Sequence, residues 1–336
     1  MRRHLPIAIA LYAICLGTPG TAASVVETPP PADSAKLIWS EPGDMTVADW
    51  SWGSGGKERA PVAPFTFVKE DFSGTSPKID VKDAAGVSWG VKFGPEVHGD
   101  TFTPRMVYAA GYFAVPTYFV PTGVIAGAQH LKRAKRFVKK DGAFQAARFK
   151  LRDKGAISKS DDYSWSWKDN PFLGTRELNG LKVLMLLTSN WDGKDSTNTQ
   201  GNTGVFIRKS DSAYLYLFTD WGATMGKWGG FFHRSKWDPK GYTRETSKLV
   251  KAVKSNGEIE WGFTGKHKRD LTRGIRVADV RWMSGYLARF TDEDIRAGLA
   301  SSGAKPEQVE QFAAAIHNRI RELSEISDEH RASIQK

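Results

Sequence analysis

The chain has 336 residues, 40% of them hydrophobic, enough to bury one large core or two smaller ones. It carries 48 basic and 37 acidic residues, a net +11 with an isoelectric point near 9.5, which suits an anionic surface or polymer without specifying one. Its single cysteine, Cys15, excludes a disulfide framework and, once the first 23 residues are removed, thiol catalysis and a cysteine-based zinc site.

Residues 1–23 read as a secretory signal peptide. Arg2 and Arg3 precede the apolar run from Leu5 to Leu16, and Thr21-Ala22-Ala23 offers a small-residue cleavage site. The expected destination is the periplasm or the exterior. Loss of the two arginines would lower the net charge from +11 to +9. Cys15 is followed by Leu16 and lies ahead of the small residues, which argues against a lipoprotein. Residues 24–60, rich in Pro, Ala, Ser and Gly, are expected to form an irregular lead-in pinned by Trp39, Trp50 and Trp52.

Residues 61–125 are expected to form a first, β-rich lobe. Phe65–Val68, Lys78–Val81 and Val87–Phe93 read as an antiparallel meander, with Gly74, Thr75 and Ser76 in the first turn. Thr103 reads as a helix cap, Pro104 as a first-turn residue and Met106 to Tyr112 as the helix. Residues 126–330 are assigned to a second, α-rich lobe. It starts with a basic run at 130–141 and an extended piece at 144–152. A buried helix over Glu177–Ser189 and a hairpin of Gly204–Arg208 with Ala213–Thr219 follow. Gly- and Trp-rich loops are expected to about 270, then three helices over 277–290, 292–302 and 306–326. The fold class expected is α+β in two lobes.

The segment S-N-W-D-G-K-D-S-T-N places Asp192, Lys194 and Asn198 after the buried helix, and the hairpin ends in Asp220-Trp221-Gly222. That order supplies a carboxylate for an acceptor hydroxyl, and an amide and a second carboxylate for a metal ion, as phosphoryl transfer requires. Asp192 and Asn198 are also common turn formers, and Asp220 could cap a turn.

Taken with Lys92 on the third strand, this series resembles the protein kinase-like fold. It is most similar to the HipA, phosphatidylinositol-kinase and secreted Golgi types. It also resembles a group of secreted bacterial proteins in which Ser76-Pro-Lys78, Val81, Asp83, Gly86, Trp89 and Val91-Lys92-Phe-Gly94-Pro-Glu96 are followed by Asn190-Trp191-Asp192 and an Asp-x-Gly. The resemblance runs from about Phe65 to Gly303. It implies that Gly74, Thr75, Ser76 and Lys92 contact the phosphates of ATP or another nucleotide, with Glu96 or Asp100 as the acid paired with Lys92. Asp192 would serve the acceptor hydroxyl, Lys194 the transferred phosphoryl, and Asn198 and Asp220 a Mg²⁺ or Mn²⁺ ion. The chain departs from the pattern in its short turn with one glycine. Its Asn also stands six residues after the Asp rather than five, which leaves Asp195 as a rival carboxylate. The function implied is transfer of a phosphoryl, or a nucleotidyl, group to a hydroxyl. The alternatives are a silent kinase-like module that binds an envelope polymer or protein, and an aromatic-rich carbohydrate-binding protein.

Outside these motifs, Lys132 to Lys140 could bind phosphate-rich partners, and a solvated charged face is the default for such a run. Trp228, Trp237 and Trp261 could stack on sugars or bases, or cover a core. His98, His233, His267 and His317 show no metal-ligand spacing, and no G-x-S-x-G occurs.

Overall fold

The computed structural model describes residues 33–152, 155–195, 202–230, 232–245 and 248–334. The expected signal segment and Asn198 lie outside them. Two lobes are present, as the sequence implies: one built around a closed barrel, the other mainly helical.

The chain enters through β1 (Lys36–Leu37) and α1 (Val47–Trp52), and both belong to the helical lobe. Over residues 33–60 the expectation of an irregular lead-in is corrected, because long-range partners order that stretch. β1 runs parallel to a strand some 180 residues away, with Leu37 opposite Leu215. Trp39 stacks edge-on against Trp282, and Trp50 against Phe290.

The barrel strands are β2 (Phe65–Asp71), β3 (Lys78–Lys82), β4 (Ser88–Phe93), β5 (Thr117–Ala126) and β6 (Ala143–Leu151), in the order β2-β3-β4-β6-β5. Closure comes from a parallel contact between Phe65 of β2 and Ile125 of β5. Alternation sends Trp89, Val91 and Phe93 inward with Ile79, Val81 and Phe149, and turns Gly90 and Lys92 outward. Because β6 lies between β4 and β5, this lobe continues to Leu151, past the expected break at 125.

Helix α2 (Gly99–Ala109) follows β4. It begins five residues before Pro104, which therefore sits inside it rather than in its first turn. An interior proline forfeits a hydrogen bond. Burial outweighs that loss, since ten of the eleven residues from Gly99 to Ala109 are shielded. The early start places Asp100 in the first turn, where the helix dipole favours a carboxylate.

The second lobe contains β7 (Ile157–Lys159), α3 (Arg176–Leu187), β8 (Thr203–Arg208) and β9 (Tyr214–Phe218), with the sheet ordered β1-β9-β8-β7. Thr175 caps α3 by accepting the Leu178 N–H, and every residue from Leu178 to Leu187 is buried. Beyond Gly226 the structure corrects the expected loops. α4 (Pro239–Glu245), the β10 (Val250–Val253) and β11 (Ile259–Trp261) hairpin and α5 (Lys268–Thr272) lie there. All are too short for a clear periodicity. Trp237 and Trp261 are buried in the core, and Trp228 stacks on Trp191 with centroids 5.2 Å apart.

Three helices close the lobe: α6 (Val277–Leu287), α7 (Asp292–Ser301) and α8 (Pro306–Ile334). Val309, Phe312, Ile316, Ile320 and Leu323 bury one face of α8, and the Arg319 guanidinium donates to Leu187 O and Ser189 Oγ at the end of α3. The helical cap therefore sits on the segment that leads into Asp192. No helix among the described residues is long and apolar enough to cross a membrane.

Candidate active site

Lys92 projects from the outer face of β4 into the space between the lobes, yet its residue is only 6% exposed. A buried ammonium needs close anions. Its Nζ stands 2.7 Å from Asp100 Oδ2, 2.9 Å from Glu96 Oε2 and 3.7 Å from Asp220 Oδ1. Both acids named as possible partners therefore bind it. Burial would lower the Lys92 pKa, but Asp100 and then Asp220 hold it above the usual lysine range.

Asp100 is the hub. Its Oδ2 also accepts from Arg148 Nη2 of β6 at 3.0 Å, and its Oδ1 accepts the Trp221 N–H at 2.9 Å. Burial pushes its carboxyl upward, and Lys92 and Arg148 outweigh that and keep it far below the normal carboxylate range. One side chain thus joins α2, two barrel strands and the turn that carries Asp220. Glu96 ties in the rest. Ser76 Oγ donates to its Oε2 at 2.8 Å, and Lys236 pairs with its Oε1. Against the effect of burial, Lys92 and Lys236 bring the Glu96 carboxyl down to about 2. Gly222 is needed at this junction, since a Cβ there would come within 2.8 Å of Glu96 Oε2.

The loop after α3 and the turn after β9 run side by side. Trp191 N–H donates to Ala223 O at 3.1 Å, and Met225 N–H to Thr188 O at 2.9 Å. Asp192 Oδ1 lies 3.4 Å from Lys266 Nζ and 3.6 Å from His267 Nε2, the latter beyond a hydrogen bond. His267 and then Lys266 hold the Asp192 carboxyl low, against burial. The rival Asp195 is committed elsewhere, accepting the Trp167 N–H at 2.8 Å. Lys194 is exposed. Gly74 takes φ +62° in the β2–β3 turn, and Thr75 is exposed beside it.

Between the lobes lies a cleft of about 840 Å³, lined by Gly74 above, Asp220 below, and Lys78, Lys92, Arg148 and Lys150 along the barrel. Arg148 and Lys150 were not foreseen. Their signal was A-A-R-F-K-L, in which cations alternate with the inward Phe149. Lys150 Nζ donates to Thr219 O at 2.8 Å. Burial and then Arg148 bring its pKa down to about 7. Lys236 had no sequence signal, because it meets Glu96 across 140 residues.

Glu96, Asp100 and Asp220 offer three carboxylates within 4.8 Å. The first two are already neutralised by Lys92, Arg148 and Lys236. Asp220, with its side chain 43% exposed, is the member with room for a metal ion. That fits Mg²⁺ or Mn²⁺, since Mg²⁺ typically takes one or two carboxylates and completes its shell with water and phosphate oxygens.

No family model matches the chain, and no curated protein does. Solved structures similar to it include the Helicobacter pylori proinflammatory kinase CtkA, at 12% identity and a TM-score of 0.41, covering 77% of this chain and 95% of that one. The Golgi casein kinase aligns at 11% identity and a TM-score of 0.43, over 80% of this chain and 73% of its own. The same kinase with Mn and ADP bound aligns at 10% identity and a TM-score of 0.39, over the same shares. With all TM-scores below 0.5, the chemistry is read from this chain's own residues.

Proposed function

We propose that the chain is a metal-assisted phosphotransferase that moves a phosphoryl group from ATP or another nucleoside triphosphate to a hydroxyl acceptor, outside the cytoplasm. The observation that carries this reading is Lys92, clamped by Asp100 and Glu96 and aimed at Asp220 at the inner end of a cation-lined cleft. Phosphoryl transfer asks a protein mainly for positioning and for positive charge around the phosphates. Lys92 and Lys150 would contact donor oxygens, under the turn at Gly74. Asp220 would hold the metal ion, which supplies charge neutralisation when bound; Asn198, its expected companion, lies outside the described residues. Asp192 would orient the acceptor hydroxyl. As the acceptor oxygen bonds to the γ-phosphorus, the bond from that phosphorus to the β,γ-bridging oxygen breaks. The hydroxyl proton passes to Asp192, and the nucleoside diphosphate leaves. Because His267 and Lys266 keep Asp192 a weak base, the proton would move late.

Thermal unfolding with ATP, with and without Mg²⁺ or Mn²⁺, tests this. At one hundred times its dissociation constant, a ligand of the native state adds about 2.7 kcal/mol, so a metal-dependent rise in Tm is expected. The absence of a shift with every nucleoside triphosphate would remove the proposal.

A further inference from the structure

The basic run at 130–141 has no part in the chemistry above, yet one of its residues holds the turn that borders the cleft. The Arg133 guanidinium spans to the β2–β3 turn. Nη1 donates to Phe72 O at 2.9 Å, and Nη2 to Gly74 O at 3.0 Å and Ser76 O at 3.2 Å. Its own segment is anchored in turn. Glu70 of β2 accepts the N–H groups of Lys132, Arg133 and Ala134, each at 2.7 Å. Ala134 and Val138 are buried in the barrel core, and Phe137 stacks on Phe93. The other cations of the run, Lys132, Lys135, Arg136, Lys139 and Lys140, are exposed, and among the described residues none pairs with a carboxylate.

The far side of the turn is braced as well. Ser73 donates to Asp71, Lys78 Nζ donates to Ser73 Oγ at 2.8 Å, and Ser76 Oγ reaches Glu96. Three carbonyls drawn to one guanidinium fix the peptide planes of the turn. In a trans peptide the following N–H points opposite the carbonyl. Holding Gly74 O therefore turns the Thr75 N–H away from Arg133. Among the described residues, the N–H groups of Gly74 and Thr75 have no protein acceptor.

We propose that Arg133 is a positioning residue for the phosphoryl donor: by holding the carbonyls of Phe72, Gly74 and Ser76 it fixes the turn, and through the Gly74–Thr75 peptide it presents the free Thr75 N–H to the phosphates. This rests on the nucleotide-dependent reading above. A lysine could keep the charge, but its compact ammonium lacks the planar fork that serves three acceptors.

The test compares affinities for ATP with metal and for adenosine, which has the base and sugar but no phosphate. Arg133→Met and Arg133→Lys should both weaken ATP binding by about tenfold, the scale of losing charge-assisted hydrogen bonds that order the turn, and leave adenosine binding and the ligand-free Tm unchanged. Lys132→Ala, which removes a neighbouring charge outside the clamp, should change ATP affinity by less than about twofold at physiological salt. Full rescue by Arg133→Lys would reduce the role to charge and overturn the proposal. So would equal losses for ATP and adenosine, which mark a general structural defect. Wild-type protein that binds ATP, with Arg133→Met binding it equally well, would overturn this inference alone. Wild-type protein that binds no nucleotide would overturn both readings.

Discussion

The two walls of the cleft treat charge in opposite ways. On the barrel wall, Lys92, Arg148, Asp100 and Glu96 are nearly removed from water, and each is answered by at least one opposite charge. On the helical-lobe side, Asp220 lines the cleft with its side chain 43% exposed, and Asp192, outside the cleft lining, is 35% exposed; both keep coordinating capacity. A carboxylate spent on lysine and arginine holds the frame together and has little left for an ion. A carboxylate left half free stabilises little and can do chemistry. The barrel wall is thus a rigid electrostatic scaffold, and the opposite wall supplies the exchangeable contacts.

The contrast is open to direct attack. The largest effect is expected on the barrel wall. Lys92→Met leaves Asp100 and Glu96 with less positive charge, and breaking a buried pair typically costs about 3–5 kcal/mol. Denaturant unfolding should show a loss of that size, and a loss below about 1 kcal/mol would erase the distinction between the walls. Next comes Asp220→Ala. Its fold stability should stay within about 1 kcal/mol of wild type, as for an exposed side chain, while the metal-dependent stabilisation by ATP, about 2.7 kcal/mol at saturation, disappears. Retention of that ligand effect would place the metal elsewhere.

The smallest effect concerns Lys150, which has no carboxylate in ion-pair contact among the described residues. Its folded pKa of about 7 lies below the ordinary lysine value of 10.5, so between those values the unfolded chain binds more protons than the folded one. The penalty of burying this amine is complete below pH 7 and fades as pH rises toward 10.5, so this group makes stability increase with pH across that window. Thermal unfolding at pH 7, 8 and 9 should show this upward contribution in wild type and lack it in Lys150→Met. Equal pH slopes in the two proteins would rule it out.

Much of the fold was legible in the chain. The apolar run of α3, the strand alternation of β2 to β4, the β8–β9 hairpin and the spacing of Val309, Phe312, Ile316 and Ile320 are local patterns, and each became the element its period implies. The start of α2 was misread because Pro104 punctuates like a first-turn residue, while the burial that offsets it comes from neighbours distant in sequence. β1 was missed for a related reason: two residues carry no period, and their partner is β9.

The sequence by itself determined the order of chemistry along the chain: a glycine turn, a strand lysine, acids ahead of a helix, then Asp192 and Asp220 at the ends of buried elements. It also determined that a cysteine-poor, moderately apolar chain would form an α+β protein. Only the tertiary structure decided which charges are spent. Glu96 and Asp100 are equivalent candidates on paper, and in space both close on Lys92, Asp100 with Arg148 and Glu96 with Lys236. The physical reason is that a hydrogen bond or ion pair depends on ångström distances between groups up to 140 residues apart, whereas sequence patterning reports only which face of its own element a side chain occupies.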